Sequence, residues 1–248
     1  METSTFTRAY LLPTIVFFLL IFPYSLLFIQ TQEQIENLTV EDGIVENLSA
    51  LFYFIASCIC ILVFIKSRSA EKIYFLKSRR NYFYLGLGLL FFFCAGEEIS
   101  WGQRIIGIST TEWLADHNLQ GETNLHNLKV LYAKDRSTTG EVQLGLSHWL
   151  SPEGILILFW LGFCLFIPTI NALSQKVRNF TGKIYFPLVP LWVGLFFVLN
   201  QAIYTLFKAK QLFPVHPMAE FKETNCAFLF MVASFSLYML YKKNTQPS

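Results

Sequence analysis

The stretch Tyr82-Phe-Tyr-Leu-Gly-Leu-Gly-Leu-Leu-Phe-Phe-Phe-Cys-Ala-Gly-Glu97-Glu98-Ile-Ser-Trp-Gly-Gln-Arg104 runs apolar without a break and then meets two adjacent acids. A helix rising 1.5 Å per residue needs about 20 mostly apolar residues to cross about 30 Å of hydrocarbon. The stretch reads as such a span, with Glu97 and Glu98 about two-thirds of the way along it. Outward from this span at 82–104, five further segments of the same kind predict spans at 10–30, 44–66, 153–173, 184–207 and 221–241. Hydrophobic residues make up 54% of the chain and charged residues 15%, whereas a soluble domain carries about 25% charged residues. The expected fold is all-α, a polytopic bundle forming a single transmembrane domain over 1–248. Disordered, collagen-like and disulfide-scaffold classes are excluded, and a net charge of +2 indicates no nucleic-acid partner. The apolar run of the first span is too long for a cleaved signal, and no small-residue cleavage site follows before Glu33.

Loop charges set the expected orientation. Lys66, Arg68, Lys72, Lys77, Arg79 and Arg80 crowd the second connection, opposed only by Glu71. Lys176, Arg178 and Lys183 follow span four, and Lys242 and Lys243 follow span six. The first connection instead carries Glu33, Glu36, Glu41 and Asp42 without a base. Basic loops stay cytoplasmic, so both termini are expected inside a bacterial inner membrane; Lys208, Lys210 and Lys222 run against that pattern. The five cysteines lie in or beside apolar spans without zinc-ribbon or disulfide-framework spacing, and read as small hydrophobes.

The loop 105–152 is long enough to carry its own structure. Ser109-Thr110-Thr111-Glu112 predicts a capping box opening a short helix. Leu125, Leu128 and Leu131 at intervals of three predict a second helix from Thr123. With Trp113, Tyr132 and Trp149 the loop reads as amphipathic helices on the outer surface, either covering a cavity or lying there with no lid role.

Ionisable groups inside a span cost about 2.5 to 3.5 kcal/mol each on insertion scales and mark candidate sites. Glu46, Glu97, Glu98, Glu220, Glu223, Asn200 and Gln201 all fall toward the outer side. So do the four histidines, His117, His126, His148 and His216. Carboxylates and imidazoles at one level are ingredients of a zinc or other divalent-metal site. They equally suit proton coupling, because acids in low dielectric can exchange protons near neutrality. His216, Glu220 and Glu223 can share a helix face, with Pro217 expected to leave His216 at the helix cap. Adjacent Glu97 and Glu98 diverge by about 100°, so one is expected to bind and the other to pair or orient. Arg104 is expected to pair with a carboxylate from another span, and Glu122, Asn124 and His126 could close onto the site. Each acid has a plain alternative as an interhelical ion pair or a compensator of the helix dipole.

The run from Gly96 to Arg104, with Gly121-Glu122-Thr123-Asn124-Leu125-His126-Asn127-Leu128 and Glu220-Phe-Lys-Glu223-Thr-Asn225, resembles a family of uncharacterised bacterial polytopic membrane proteins. That likeness implies no activity. Glu46-Asn47 and His216-x-x-x-Glu220 are also similar to motifs of the alkaline ceramidase superfamily. That resemblance implies a zinc ion between helices, an activated water and hydrolysis of a lipid amide. The chain departs from that family in carrying Glu97 and Glu98 where a Ser-x-x-x-His belongs, and in having six expected spans rather than seven.

The leading expectation is a metal-dependent hydrolase of a lipid or lipid-linked substrate. Glu97 or Glu98, His126, His216 and Glu220 would hold the metal, and Glu223 or Glu46 would act as general base on water whose pKa the metal lowers to about 7. The alternatives are a proton-coupled transporter using the same acids, and a non-catalytic subunit with a structural polar cluster.

Overall fold

The computed structural model describes residues 2–40, 43–69, 72–118, 121–130 and 151–245, without the side chains of 2–10, 104 and 105. The expectations for Tyr132, His148, Trp149 and the Arg104 side chain lie outside these residues. In chain order the helices are α1 (Glu2–Ile29), α2 (Gln32–Leu38), α3 (Ile44–Lys66), α4 (Tyr82–Glu98), α5 (Gln103–Ile106), α6 (Glu112–His117), α7 (Pro152–Leu173), α8 (Gln175–Lys183), α9 (Leu191–Ala209) and α10 (Val215–Thr245). Among the described residues there is no strand, only an isolated bridge between Asn118 and Leu128. The all-α bundle is therefore as expected.

Among the described residues five helices are long and apolar enough to cross a membrane: α3, α7, α9, the Leu11–Ile29 part of α1 and the Val215–Asn244 part of α10. These make the chain a multi-pass membrane protein. α4 is the exception, because its 17 residues reach only about 25 Å. It ends at Glu98 rather than at Arg104, since Ser100 (φ 46°), Trp101 (φ 54°) and Gly102 (φ 74°) turn the backbone left-handed. α9 starts at Leu191 instead of 184, after Pro187 and Pro190, and Pro190 occupies its N-cap. α10 starts six residues earlier than expected. Pro217 is tolerated there because a first-turn N–H needs no helical partner, so His216 lies within the first turn and not at the cap.

α10 is the axis of the bundle. Of its most apolar stretch 67% is buried, against 22% to 39% in the other spans. It packs on α3, which pairs with α4, and on α9. Phe230 is the centre of the core, with Phe197 4.8 Å and Phe91 5.2 Å away between ring centroids. Trp160 stacks on Phe197 at 5.3 Å. α7 widens into a π-turn over Leu161–Phe166, and α9 comes against it at Gly194. A Cβ there would lie 2.2 Å from the Cys164 carbonyl oxygen, so only glycine permits this approach. Outward faces such as Phe18, Phe22, Phe28 and Leu89 stay apolar and exposed, as a lipid-facing surface requires.

All five cysteines are free. Cys60 Sγ contacts Ser234 Oγ at 3.4 Å inside the core.

Candidate functional site

At the end of the bundle where α4 stops and α10 begins, the acid pair divides its work. Glu97 is 5% exposed and fully engaged. Its Oε1 accepts from the Trp101 indole N–H at 2.6 Å. Its Oε2 accepts from the backbone N–H groups of Leu125 and His126 at 2.6 and 2.8 Å, with His126 Nδ1 3.3 Å away. Gly96 gives the indole room to fold back, since a Cβ at that position would lie 2.8 Å from the ring. The left-handed backbone through Gly102 then returns the chain toward the roof.

The roof itself is a knot of short-chain polar groups. Ser100 donates its hydroxyl to Glu122, whose carboxylate also accepts from Asn124 Nδ2 at 3.1 Å. The same Asn124 amide donates to Ser100 Oγ at 3.0 Å, and Asn118 Nδ2 donates to Asn124 Oδ1 at 2.8 Å. Gln103 Oε1 accepts from the Thr123 N–H at 2.7 Å, while its amide donates to Thr110 Oγ1 at 2.6 Å. This corrects two helix expectations. Residues 121–130 form turns instead of a helix from Thr123, because Glu97 holds the Leu125 and His126 N–H groups out of any helical ladder. α6 forms with Thr111 as N-cap, but no side-chain cap bond is made; Thr110 is taken by Gln103.

Glu98, one residue on, points to different company. Its carboxylate lies in the fields of Glu223, Glu220, Glu46 and Glu97. Among the described residues it has no hydrogen-bond or ion-pair partner. The Tyr53 hydroxyl lies within electrostatic reach of Cys94, Glu98, Cys226 and Glu223. Tyr53 is 3% exposed, and its hydroxyl likewise has no hydrogen-bond partner among the described residues. Its ring is held by Phe91 and Phe230. Sequence reasoning passed over Tyr53, although it stands seven residues after Glu46, two helical turns along the same face of α3.

A second polar knot ties α1, α9 and α10 beside this point. Asn200 is 1% exposed. Its Oδ1 accepts from the Tyr24 hydroxyl at 2.8 Å and from Asn225 Nδ2 at 3.1 Å, and its amide donates to the Lys222 carbonyl at 2.9 Å. Asn225 also donates to the Leu20 carbonyl at 3.0 Å. Lys222, buried, reaches Glu153 on α7 at 2.6 Å and Glu223 at 3.4 Å, and its ammonium lies 4.7 Å from the Tyr204 ring centroid. Glu153 and Tyr24 were not singled out from the sequence; Lys222 stood there as a charge against the loop pattern and Asn225 within a motif, while Gln201, expected at the site, is only partly buried and stands outside the knot.

Among the described residues, those expected to hold a metal come together in two pairs. Glu97 and His126 form one, and His216 with Glu220, at 3.7 Å, forms the other. Among the described residues no group of three or more His, Cys, Asp or Glu side chains is placed to hold a metal ion. Glu97 spends its oxygens on N–H donors, and the His216 ring is mostly exposed. Of the two acids expected as general base, Glu223 is paired with Lys222 and Glu46 occupies the first turn of α3. His117 packs on Trp113 within its own helix. No protein-family model matches the chain, no curated protein matches it in sequence, and no solved structure matches it in fold.

Proposed function

We propose that this multi-pass membrane protein binds a proton or a small monovalent cation at Glu98, as the coupling group of a proton- or cation-driven membrane process. The observation that carries the reading is the contrast between neighbouring acids. Glu97 is saturated with donors, whereas Glu98 has none among the described residues and lies within electrostatic reach of the Tyr53 hydroxyl. A bare, half-buried carboxylate beside other acids at the end of an apolar bundle is costly, and a proton or a cation lowers that cost. Tyr53 can donate to the carboxylate when it is ionised, or offer its oxygen to a cation seated between them.

A metal-dependent hydrolase needs several donors converging on one point. The two separate His–Glu pairs support that reading less well than the unpartnered Glu98 supports proton or cation binding. Counting protons is the test. Across a pH step, purified protein in detergent takes up about one more proton per chain than Glu98→Gln, read with an indicator dye. Sodium or ammonium ions that lower this uptake identify a cation sharing the seat. Equal uptake by wild type and a folded Glu98→Gln overturns the proposal. Should that variant fail to fold, Tyr53→Phe must shift the pH of uptake, and an unshifted curve overturns it equally.

A further inference from the structure

The opposite, basic end of the bundle holds a cavity of about 470 Å³, within the range of small-molecule sites. It is walled by the ends of α3, α4, α7, α8 and α10 and by the 67–81 connection. We infer that this cavity binds the phosphate headgroup of an anionic phospholipid. The inference is independent of the proposal for Glu98.

Charge argues for an anion. Lys72 and Arg178 line the cavity, and no Asp or Glu does among the described residues. The Lys72 ammonium has no partner among the described residues. The Arg178 guanidinium caps α7 by donating to the carbonyls of Asn171 and Ala172 at 3.4 and 2.8 Å, which leaves some of its five N–H donors for a ligand. Two tyrosines supply further donors. Tyr74 and Tyr84 line the cavity at 8% and 7% exposure, and neither hydroxyl has a hydrogen-bond partner among the described residues. Two hydroxyls open to the cavity beside two cations describe a seat for oxygen acceptors.

The construction is rigid where it needs to be. Tyr185 takes a left-handed conformation (φ 52°), and its carbonyl accepts from Asn81 Nδ2 at 2.8 Å. Its ring meets Tyr74 edge-on at 4.9 Å, fixing the Tyr74 hydroxyl in place. Lipid is favoured over free phosphate because the remaining wall is apolar. Phe186, Leu188, Leu237 and Leu240 line the cavity, Leu240 being exposed on the outer face of the bundle, which suits glycerol and acyl carbons. The position also matches a membrane interface whose basic loops attract anionic lipid.

Native mass spectrometry of the full chain, released from detergent with phosphatidylglycerol or phosphatidylcholine, tests this. Wild type should retain phosphatidylglycerol in clear excess over phosphatidylcholine. Lys72→Gln and Arg178→Gln should each lower that excess about fivefold, while Lys210→Gln at the other end should leave it unchanged. Tyr84→Phe, which keeps the ring packing, should also lower it. Inorganic phosphate alone should not displace the lipid; displacement at millimolar phosphate would overturn the choice of lipid as ligand. Equal retention of the two lipids by wild type, or an unchanged preference in both charge variants, overturns the site.

Discussion

Replacing Glu97 by Gln exchanges one carboxylate oxygen for an NH₂ group and leaves the shape nearly intact. Donors meet both oxygens: the Trp101 indole on Oε1, and the Leu125 and His126 N–H groups on Oε2. Whichever way the amide turns, its NH₂ opposes at least one N–H. The better orientation surrenders the Trp101 bond and weakens the other two from charged to neutral; the worse one surrenders both backbone bonds. A hydrogen bond to a charged group contributes about 1.5 to 3 kcal/mol, so the roof should lose about 2 to 5 kcal/mol of anchoring. If the roof opens locally without unfolding the bundle, its amides should exchange about 30-fold faster or more. Hydrogen–deuterium exchange of peptides covering 121–130 measures this in detergent. Glu98→Gln serves as the control and should leave that exchange unaltered. Exchange within about twofold of wild type in Glu97→Gln would refute the claim that this carboxylate suspends the roof.

Four further outcomes follow from the same geometry. Gly194→Ala drives a methyl into the Cys164 carbonyl and should cost about 1 to 3 kcal/mol, whereas Gly86→Ala, with open space beside it, should leave the thermal midpoint in place. Asn200→Ala removes the acceptor shared by the Tyr24 hydroxyl and the Asn225 amide, leaving each its weaker or second backbone partner, and should lower stability by about 1 to 3 kcal/mol, measured by denaturation in detergent. Lys222→Met removes a buried cation from Glu153 and Glu223, and should reduce stability less than a fully enclosed pair would, because both acids reach solvent; a loss as large as 5 kcal/mol would contradict that placement. Burial pushes the Tyr74 hydroxyl above its ordinary value of 10.0, with Tyr241 and Tyr185 adding to the effect. The folded state therefore holds that proton more tightly than the unfolded chain. This contribution is complete below pH about 10 and is lost as pH rises through the folded value. Tyr74→Phe should soften the alkaline fall in the melting midpoint.

The class of fold was legible because apolar length is a strong signal and bilayer thickness makes it quantitative. Boundaries were less so. The third span looked complete to Arg104, yet Glu97 and Ser100 draw the chain into a left-handed turn toward partners more than twenty residues away. The roof misled for the same reason: leucines at intervals of three suggested a helix, but backbone N–H groups claimed by a distant carboxylate cannot join a ladder. At the acidic end the sequence located Glu97, Glu98, Glu122, His126 and Asn200. It could not separate the satisfied acid from the unpartnered one, because that difference lies in groups brought in from other elements. Tyr53 escaped notice for a related reason, and Lys222 stood out by its charge but not by its partner on α7. A tyrosine inside an apolar run and a lysine near a helix start each have ordinary roles, and only packing shows where their polar ends go. The basic end showed its charge in sequence but not its cavity, which needs the ends of five helices to exist.

The most direct test of the central claim is the infrared difference spectrum of the protein between acid and neutral pH, recorded for wild type, Glu98→Gln and Glu97→Gln. The account predicts a carboxylic-acid carbonyl band that disappears in Glu98→Gln and survives in Glu97→Gln. A band that persists without Glu98, or that vanishes only without Glu97, would contradict it.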